Sequence, residues 1–315
     1  SPRKHGYDVV EAIHAMHKGD AKFFLAMGGN FLQAAPDTKF TAAALRKCNL
    51  TAHVVTKLNR SQLVTGKIGL ILPCLGRTET DMQKAGRQFI TCENSMGIVH
   101  MSTGRLKPIS THLISEPAIV AHLANKVIGN TKVIDWLAFA DDYDLIRDAI
   151  ESAISGFENF NIRVRKSGGF YLQNNAKDRI WDTPNNKANF GNAALSIFKK
   201  KDNKHLILQT LRSHDQYNTT IYGLDDRYRG IGNQRKIIFL NPEDMKERRI
   251  KPVQKLRITS HWDDGQRHAE GFLAIPYEMP RGAAAAYFPE ANVLIPIDST
   301  ADTSNTPTSK AVEIS

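Results

Sequence analysis

Two short polar loops in this chain carry groups that commonly bind phosphate. The loop Met27 to Asn30 (MGGN) follows an apolar run that predicts a strand, and the loop Thr56 to Ser61 (TKLNRS) follows the next predicted strand. Ligands bind beyond the carboxyl ends of strands in an open parallel sheet, and glycine lets backbone N–H groups approach a phosphate closely. The candidate binding residues of the two loops are Gly28, Gly29, Asn30, Lys57, Asn59 and Ser61.

Each loop also has a purely structural interpretation. A Gly-Gly turn serves wherever the backbone takes a positive φ. A loop rich in Lys, Asn and Arg is equally typical of a solvated surface. On the residues alone, both interpretations stay open.

The sequence contains no self-sufficient catalytic motif. It has no H-E-x-x-H, no G-x-S-x-G, no P-loop and no paired-cysteine site, so we assign no catalytic residue and no metal ligand. The cysteines Cys48, Cys74 and Cys92 are widely spaced, which predicts reduced structural thiols. A cytoplasmic setting is therefore expected.

The first part of the chain predicts the layer that positions these loops. Apolar residues at helical spacing predict a helix over Tyr7 to Gly19, and the strand Phe23 to Met27 and a second short helix over Thr41 to Asn49 follow. The runs Thr51 to Asn59 and Lys67 to Leu75 are continuously apolar at their centres, which suits strands covered on both faces. This alternation predicts a parallel α/β layer up to about residue 75.

The middle of the chain predicts a hairpin, two helices and a connector. The hairpin turns at Asn94 to Gly97, and a helix begins after Ser115. A second helix is capped by Asp141 or Asp142, and residues 160 to 204 are predicted to form a polar connector. The first of these helices carries an apolar stripe that we expect to be buried, formed by Ile119, Val120, Leu123 and Val127.

From Leu206 onward, strand patterns dominate. A short helix capped by Asn241, with Pro242 at its first position, interrupts them. The Ala-rich run Arg281 to Phe288 predicts a tightly packed turn of helix, and the polar tail from Ser299 would be flexible by itself. The predicted strands are HLILQT, KIIFLNP, KLRITSHW and GFLAIPYEM.

Composition narrows the choice of partners. A chain of 315 residues divides into two or three domains. Residues 160 to 260 hold 21 Lys and Arg against 9 Asp and Glu, and such a basic region attracts nucleic acid, an anionic membrane or a phosphate-rich cofactor. A solvated face, including Lys199 to Lys201, is the alternative. No apolar run is long enough for a membrane span.

The stretch Leu208 to Gly223 (LQTLRSHDQYNTTIYG), with Ile237 to Ser260 after it, resembles a known family. It is similar to the C-terminal cofactor-binding domain of the molybdopterin-dinucleotide (bis-MGD) oxidoreductases, especially the formate dehydrogenase alpha-subunit-like branch. The segment LNRSQLVTGKIGLILPCLGRTETD also resembles that branch. The resemblance implies that the cofactor is contacted by Thr210, Arg212, Ser213, His214, Gln216, Tyr217, Asn218 and Thr219.

The closing segment EANVLIPIDSTADTSNTPTSKAV resembles the end of the same family. Asn292, Asn305 and Lys310 match positions that return to the cofactor, so the resemblance implies an ordered tail. The residue types in the two matching segments suit this cofactor. Arg offers phosphate a planar pair of donors, and amides or hydroxyls can form hydrogen bonds with the polar edges of a pterin.

The resemblance also implies a fold and domain boundaries. Residues 1–130 would be a partial parallel-sheet α/β domain, residues 131–204 a helical segment and polar connector, and residues 205–315 a six-stranded double-psi β-barrel.

The implied function is that of the C-terminal half of a molybdopterin-dependent oxidoreductase, inactive by itself. Its cofactor would be molybdopterin guanine dinucleotide with molybdenum, and any iron–sulfur cluster would lie in the N-terminal remainder of the enzyme. That remainder, a small-molecule substrate such as formate and an electron acceptor of unknown identity are the implied partners.

The alternative function is a non-enzymatic, basic, β-rich module that binds nucleic acid through residues 160 to 260. Single-strand binders need aromatic side chains interleaved with Lys and Arg for base stacking. The basic region has no such clustering, which favours the oxidoreductase.

Overall fold

The computed structural model describes residues 5–131, 133–192, 202, 204–219 and 221–315. The chain forms two compact units, the first made of residues 1–72 and 197–315 and the second of residues 73–196. The limits of these units differ from the predicted domain boundaries at residues 130 and 204. Those domain boundaries stay a prediction.

The first unit begins with an α/β layer. Its elements are α1 (Val9–Lys18), β1 (Phe23–Met27), α2 (Phe31–Ala34), α3 (Thr38–Lys47), β2 (Leu50–Val55) and β3 (Ile68–Pro73). Strand β1 pairs in parallel with β2, and the strand order is β1-β2-β3, which confirms the predicted parallel sheet. Helix α1 begins at a capping box between Asp8 and Glu11 and ends at Gly19 with φ 88°.

One expectation for this layer is wrong. Strand β2 is buried, but all six residues of β3 are exposed within the first unit, among them Ile68, Leu70 and Ile71. The strand lies at an edge of the sheet. A continuously apolar sequence shows only that a strand can be buried on both faces. Whether other elements cover those faces depends on the position of the strand in the sheet.

The second unit contains the predicted hairpin and helices. Its elements are β4 (Met82–Gln83), β5 (Gly86–Arg87), β6 (Ile90–Glu93), β7 (Ile98–Ser102), α4 (Glu116–Val127), α5 (Trp136–Asp141), α6 (Tyr143–Ala153), α7 (Phe160–Val164) and β8 (Phe170–Tyr171). Strands β6 and β7 are antiparallel, and the turn closes where the Asn94 N–H donates to the Ile98 carbonyl over 3.0 Å. Ser115 caps α4 and Asp142 caps α6, as predicted.

The predicted buried stripe of α4 is wrong. Val120, Leu123 and Val127 are exposed and Ile119 is half-buried, whereas Ala118 and Ala121 are buried in a cluster with Ala140 of α5. Small side chains let two helices approach closely, so the alanine face of α4 packs inward although it is less hydrophobic.

The polar connector begins later than predicted. Phe160 and Val164 of α7 are buried with Val99, and Phe170 of β8 pairs with Val99 of β7. Through these side chains the segment 160–172 packs against the core of the second unit. Residues 173–192 have no helix or strand, and residues 193–201, with Lys199 to Lys201, lie outside the described residues.

No helix within the described ranges is long and apolar enough to cross a membrane.

The second part of the first unit is a closed six-stranded barrel. Its elements are β9 (Leu206–Leu211), β10 (Ile237–Leu240), α8 (Pro242–Glu247), β11 (Lys255–Trp262), β12 (Gly265–Pro276), β13 (Ala283–Tyr287) and β14 (Val312–Ile314). The strand order around the barrel is β10-β12-β11-β14-β9-β13. The predicted barrel is thereby confirmed, and β14 shows that the tail is ordered.

Strand β13 corrects the prediction of a helical turn over Arg281 to Phe288. It pairs antiparallel with β10 and parallel with β9, and Ala284, Ala285 and Ala286 are buried. Alanine favours helices in isolation. Here the two neighbouring strands provide hydrogen-bond partners for the backbone of β13. Its small side chains suit a strand that is buried on both faces.

The barrel is fastened to the α/β layer by hydrogen bonds around Asp37 and Asn292. The Asn292 side chain donates to the carbonyls of Gln33, over 2.6 Å, and Ala34, over 3.1 Å. The Asp37 N–H donates to the Asn292 carbonyl over 3.1 Å, and Arg267 of β12 donates to the Asp37 carboxylate over 2.7 Å. Because Asp37 and Asn292 are buried and Gln33 and Arg267 are half-buried, these hydrogen bonds fix the end of α2 against the barrel.

Arg267→Met tests this fastening. The change leaves the buried Asp37 carboxylate without its cation, so we expect the free energy of unfolding to fall by about 3 to 5 kcal/mol. Urea denaturation measures it. The control is Arg257→Met, which breaks an exposed pair with Glu270 and should cost no more than about 1 kcal/mol. Equal effects of the two changes would contradict the role of Arg267.

Candidate functional site

A cleft of about 730 Å³ in the first unit lies where the MGGN turn meets a barrel loop. It joins two stretches that the sequence analysis had singled out separately. Its volume is in the range typical of ligand sites. The lining residues are Phe24, Leu25, Ala26, Met27, Gly28, Gly29, Asn30, Phe31, Ala34, Arg212, Asn218, Thr219 and Phe288.

The MGGN turn presents two glycines to this cleft. Gly28 and Gly29 have φ values of 64° and 68°, a region that glycine enters without strain. The Gly28 N–H donates to the Val54 carbonyl over 2.8 Å and so ends the pairing of β1 with β2. A Cβ on Gly29 would meet nothing within 4 Å. Backbone geometry, rather than crowding, therefore calls for glycine at position 29.

Three other predicted contacts connect the two loops of the layer. The Ser61 hydroxyl donates to Asn30 Oδ1 over 3.0 Å and accepts the Leu32 N–H over 3.1 Å. The Asn59 amide donates to the Gly29 carbonyl over 2.8 Å. Asn59 and Ser61 thus support the turn from behind, and Lys57 is exposed outside the cleft lining. Their contact with a cofactor stays a prediction.

Arg212 lines the cleft, and the Lys310 side chain bonds to the backbone two residues before it. Arg212 is exposed, and its guanidinium donates to Asn218 Oδ1 over 3.0 Å and lies 5.6 Å from the centre of the Phe288 ring. Lys310 Nζ donates to the Thr210 carbonyl. Burial and the positive charge of Arg212 lower the pKa of Lys310. Among the described residues, neither cation forms an ion pair.

Other residues of the barrel loop are occupied within the protein. Thr210, Ser213, Gln216 and Thr219 are buried. The Gln216 amide donates to the carbonyls of Asn218, over 2.8 Å, and Phe288, over 2.9 Å. The hydrogen-bonding capacity of the Gln216 amide is therefore used within the protein. Direct contact of Gln216 with a cofactor stays a prediction.

The remaining predicted contacts lie at the edge of the site or outside it. His214 Nε2 is 2.7 Å from Arg227 Nη2 and 3.2 Å from the Asp215 carboxylate, and Tyr217 is exposed. The Asn305 amide donates to Asp8 over 2.7 Å, away from the cleft lining. Asn292 fastens the layer to the barrel, as described above.

Two buried charged residues behind the barrel loop were not predicted from the sequence. Arg235 and Asp226 are 5% and 1% exposed. Asp226 accepts hydrogen bonds from the Tyr287 hydroxyl, over 2.7 Å, and Arg229, over 2.5 Å. Arg229 also donates to the Arg212 carbonyl over 3.3 Å. No spacing in the sequence marks their burial, because Tyr287 and Glu290, which bond to Asp226 and Arg235 respectively, are distant along the chain.

Asp226 makes the stability of this loop depend on pH. Burial by itself would raise the pKa of Asp226, but the hydrogen bonds from Tyr287 and Arg229 lower it below its ordinary value. A carboxylate whose pKa is lower in the folded state stabilises the fold above its unfolded pKa of about 4. That contribution is lost as the pH falls through the folded-state pKa.

Asp226→Asn should lower the free energy of unfolding by about 1.5 to 3 kcal/mol at neutral pH. The difference from wild type should shrink on acidification below about pH 4, where Asp226 of the wild type becomes protonated. Denaturation curves on both sides of this pH measure it. Asp263→Asn, at an exposed carboxylate, is the control. A difference that grows on acidification would contradict the assignment.

Among the described residues, no group of three or more His, Cys, Asp or Glu side chains could hold a metal ion. Cys48, Cys74 and Cys92 are free thiols, and burial raises the pKa of Cys48 and Cys74.

Comparisons with known proteins match the barrel to a family model and the chain to parts of larger proteins. Residues 206–313 match the family model described as the molydopterin dinucleotide binding domain. An uncharacterized oxidoreductase of Mycobacterium tuberculosis is 48% identical over 318 residues, covering 99% of this chain and 41% of that protein. Protein YdeP of Escherichia coli is 39% identical over 318 residues, covering 99% of this chain and 42% of YdeP.

Acetylene hydratase from Pelobacter acetylenicus has a similar structure. The TM-score is 0.63 at 12% sequence identity, over 97% of this chain and 46% of that chain. At that identity the likeness concerns the fold alone.

These matches confirm the coarse part of the resemblance. They show a molydopterin dinucleotide binding domain over residues 206–313 and a similarity to proteins that are named oxidoreductases. The chain spans about two fifths of the length of the curated relatives it matches.

Proposed function

We propose that the cleft binds the phosphates and pterin of molybdopterin guanine dinucleotide, and that the chain is the C-terminal half of a molybdopterin-dependent oxidoreductase. The observation that carries the proposal is the pair Arg212 and Lys310, two neighbouring cations without an ion-pair partner among the described residues. Like charges held together repel unless an anion joins them. A pyrophosphate supplies that anion.

The residues at the cleft fit such a group. Of the described residues that line it, none is acidic, and aromatic walls come from Phe24, Phe31 and Phe288. Arg212 can donate two parallel hydrogen bonds to a phosphate, and Lys310 adds a point charge. Asn218 and Thr219 offer the mixed donors and acceptors that a pterin edge requires.

The roles of these residues are binding and orientation. The bound cofactor supplies the redox chemistry. Arg212 and Lys310 neutralise its phosphates, and the glycine turn lets the cofactor approach the backbone. Molybdenum, a formate dehydrogenase-like activity, the double-psi form of the barrel and a cytoplasmic location belong to the same proposal, as do the N-terminal remainder, the small-molecule substrate and the electron acceptor.

Binding of inorganic pyrophosphate to the chain tests the cation pair. Arg212→Ala and Lys310→Ala should each weaken the affinity about tenfold or more, because each removes a charge-assisted hydrogen bond. Arg212→Lys should lose less, since it keeps the charge but not the planar pair of donors. Isothermal titration calorimetry measures the affinities, and thermal unfolding shows whether each variant is folded.

Lys246→Ala is the control, because Lys246 is an exposed cation on α8 outside the cleft lining. It should bind pyrophosphate like wild type. Equal losses from Lys246→Ala and Arg212→Ala would contradict a local site and indicate attraction to the net charge. Tighter binding of single-stranded DNA than of pyrophosphate, with strong salt dependence, would favour the nucleic-acid alternative.

A second readout concerns the whole enzyme. The full-length protein, purified and denatured, should release a fluorescent pterin together with guanine nucleotide. A full-length protein without pterin would contradict the proposed function.

A further inference from the structure

Arg235 occupies the centre of a buried polar cluster directly behind the barrel loop. Its guanidinium donates to both carboxylate oxygens of Glu290, over 2.8 and 3.1 Å. It also donates to Ser213 Oγ over 2.7 Å, Gln216 Oε1 over 3.0 Å and the Phe288 carbonyl over 3.0 Å. Few arginines are so completely satisfied without facing solvent.

Aromatic rings fix the plane of this guanidinium. The Arg235 Cζ lies 4.2 Å from the centre of the Tyr222 ring and 5.0 Å from that of Tyr287. Stacking on aromatic faces suits the weakly hydrated guanidinium and not an ammonium group. The site is therefore specific for arginine and not only for positive charge.

The groups that Arg235 holds lie on both sides of Arg212. Ser213 follows Arg212 directly, and the Ser213 N–H donates to Gln216 Oε1, the oxygen that Arg235 also holds. On the other side, the Phe288 N–H donates to the Leu211 carbonyl over 3.1 Å. Arg235 thus ties together the two backbone segments that flank Arg212.

Arg212 has little else to order it. It is exposed, and among the described residues its guanidinium donates one hydrogen bond, over 3.0 Å to Asn218 of the same loop. An exposed arginine loses much side-chain freedom when it binds an anion. Binding would also have to order a mobile backbone, and holding that backbone in place beforehand removes this second cost, which is the principle of preorganisation.

We propose that Arg235 is a positioning residue, which acts through Ser213, Gln216 and Phe288 to hold Arg212 in its anion-binding position. The inference rests on the proposed function for its ligand. It goes beyond that function because it assigns a role to a residue that does not line the cleft and touches no ligand there. The consequence is that the cofactor loop is ordered before its ligand binds.

A double-mutant cycle on the 315-residue chain, with inorganic pyrophosphate as the probe, tests the proposal. Arg235→Lys keeps the charge but cannot reach four acceptors, so affinity should fall about tenfold. In an Arg212→Ala background the same change should alter affinity less than about twofold, because the residue it positions is gone. Losses that multiply in the double variant would overturn the proposal.

Hydrogen exchange supplies a readout that needs no ligand. The peptide spanning residues 212–219 should exchange faster in Arg235→Lys, since the Ser213 N–H loses its fixed acceptor, while the barrel strands keep wild-type protection. Arg281→Lys is the control, because Arg281 pairs with Asp244 and Glu247 away from the loop. Exchange at wild-type rates in residues 212–219 would overturn the positioning role.

Two further outcomes are distinguishable. If wild type does not bind pyrophosphate, the proposed function fails, and the exchange measurement alone decides whether Arg235 orders the loop. If Arg235→Lys does not fold, Glu290→Gln replaces it, because this change weakens the anchor of Arg235 and leaves the guanidinium in place. Glu290→Gln with unchanged exchange and affinity would then count against the proposal.

Discussion

The structure of the cleft depends on the hydrogen bonds that join the α/β layer to the barrel. The MGGN turn belongs to the layer and Arg212 to the barrel, so neither makes a site without the other. Asn292 satisfies the carbonyls of Gln33 and Ala34 at the end of a four-residue helix, a helix too short to be stable by itself. The barrel therefore fixes the position of the turn that faces it.

Charge pairing distinguishes three structural arginines of the barrel from Arg212. Arg229, Arg235 and Arg267 each form an ion pair with a carboxylate that is buried or half-buried. Arg212 forms none among the described residues, and the Lys310 amine bonds to the Thr210 carbonyl two residues before it. A folded chain usually pairs its partly buried charges. Arg212 is exposed and without such a partner, and there we place the anion.

Local patterns in the sequence were sufficient for most elements near the site. The helical spacing of apolar residues in α1, the capping signal at Asn241 and the apolar runs of β1, β2 and β9 predicted their helices and strands correctly. The predictions failed where tertiary packing overrides local preference. Strand β13 is Ala-rich but lies between two strands, and α4 packs through its alanines rather than through its larger side chains.

The candidate site shows the same limit. The resemblance singled out Arg212, Asn218 and the glycine turn, which the structure brings to one cleft. It also singled out Gln216, whose amide bonds within the protein, and Asn305, which bonds to Asp8. Sequence similarity identifies a loop as a whole, whereas the division of its residues between ligand and support depends on partners far along the chain. Arg235 could not be found for that reason.

An experimental structure of the full-length protein with its native cofactor tests the central claim most directly. The account predicts that the cofactor's phosphate oxygens lie within hydrogen-bond distance of Arg212 and Lys310, with the Gly28 and Gly29 backbone against the ligand. A cofactor whose phosphates bind elsewhere, while Arg212 and Lys310 contact only solvent, would contradict it.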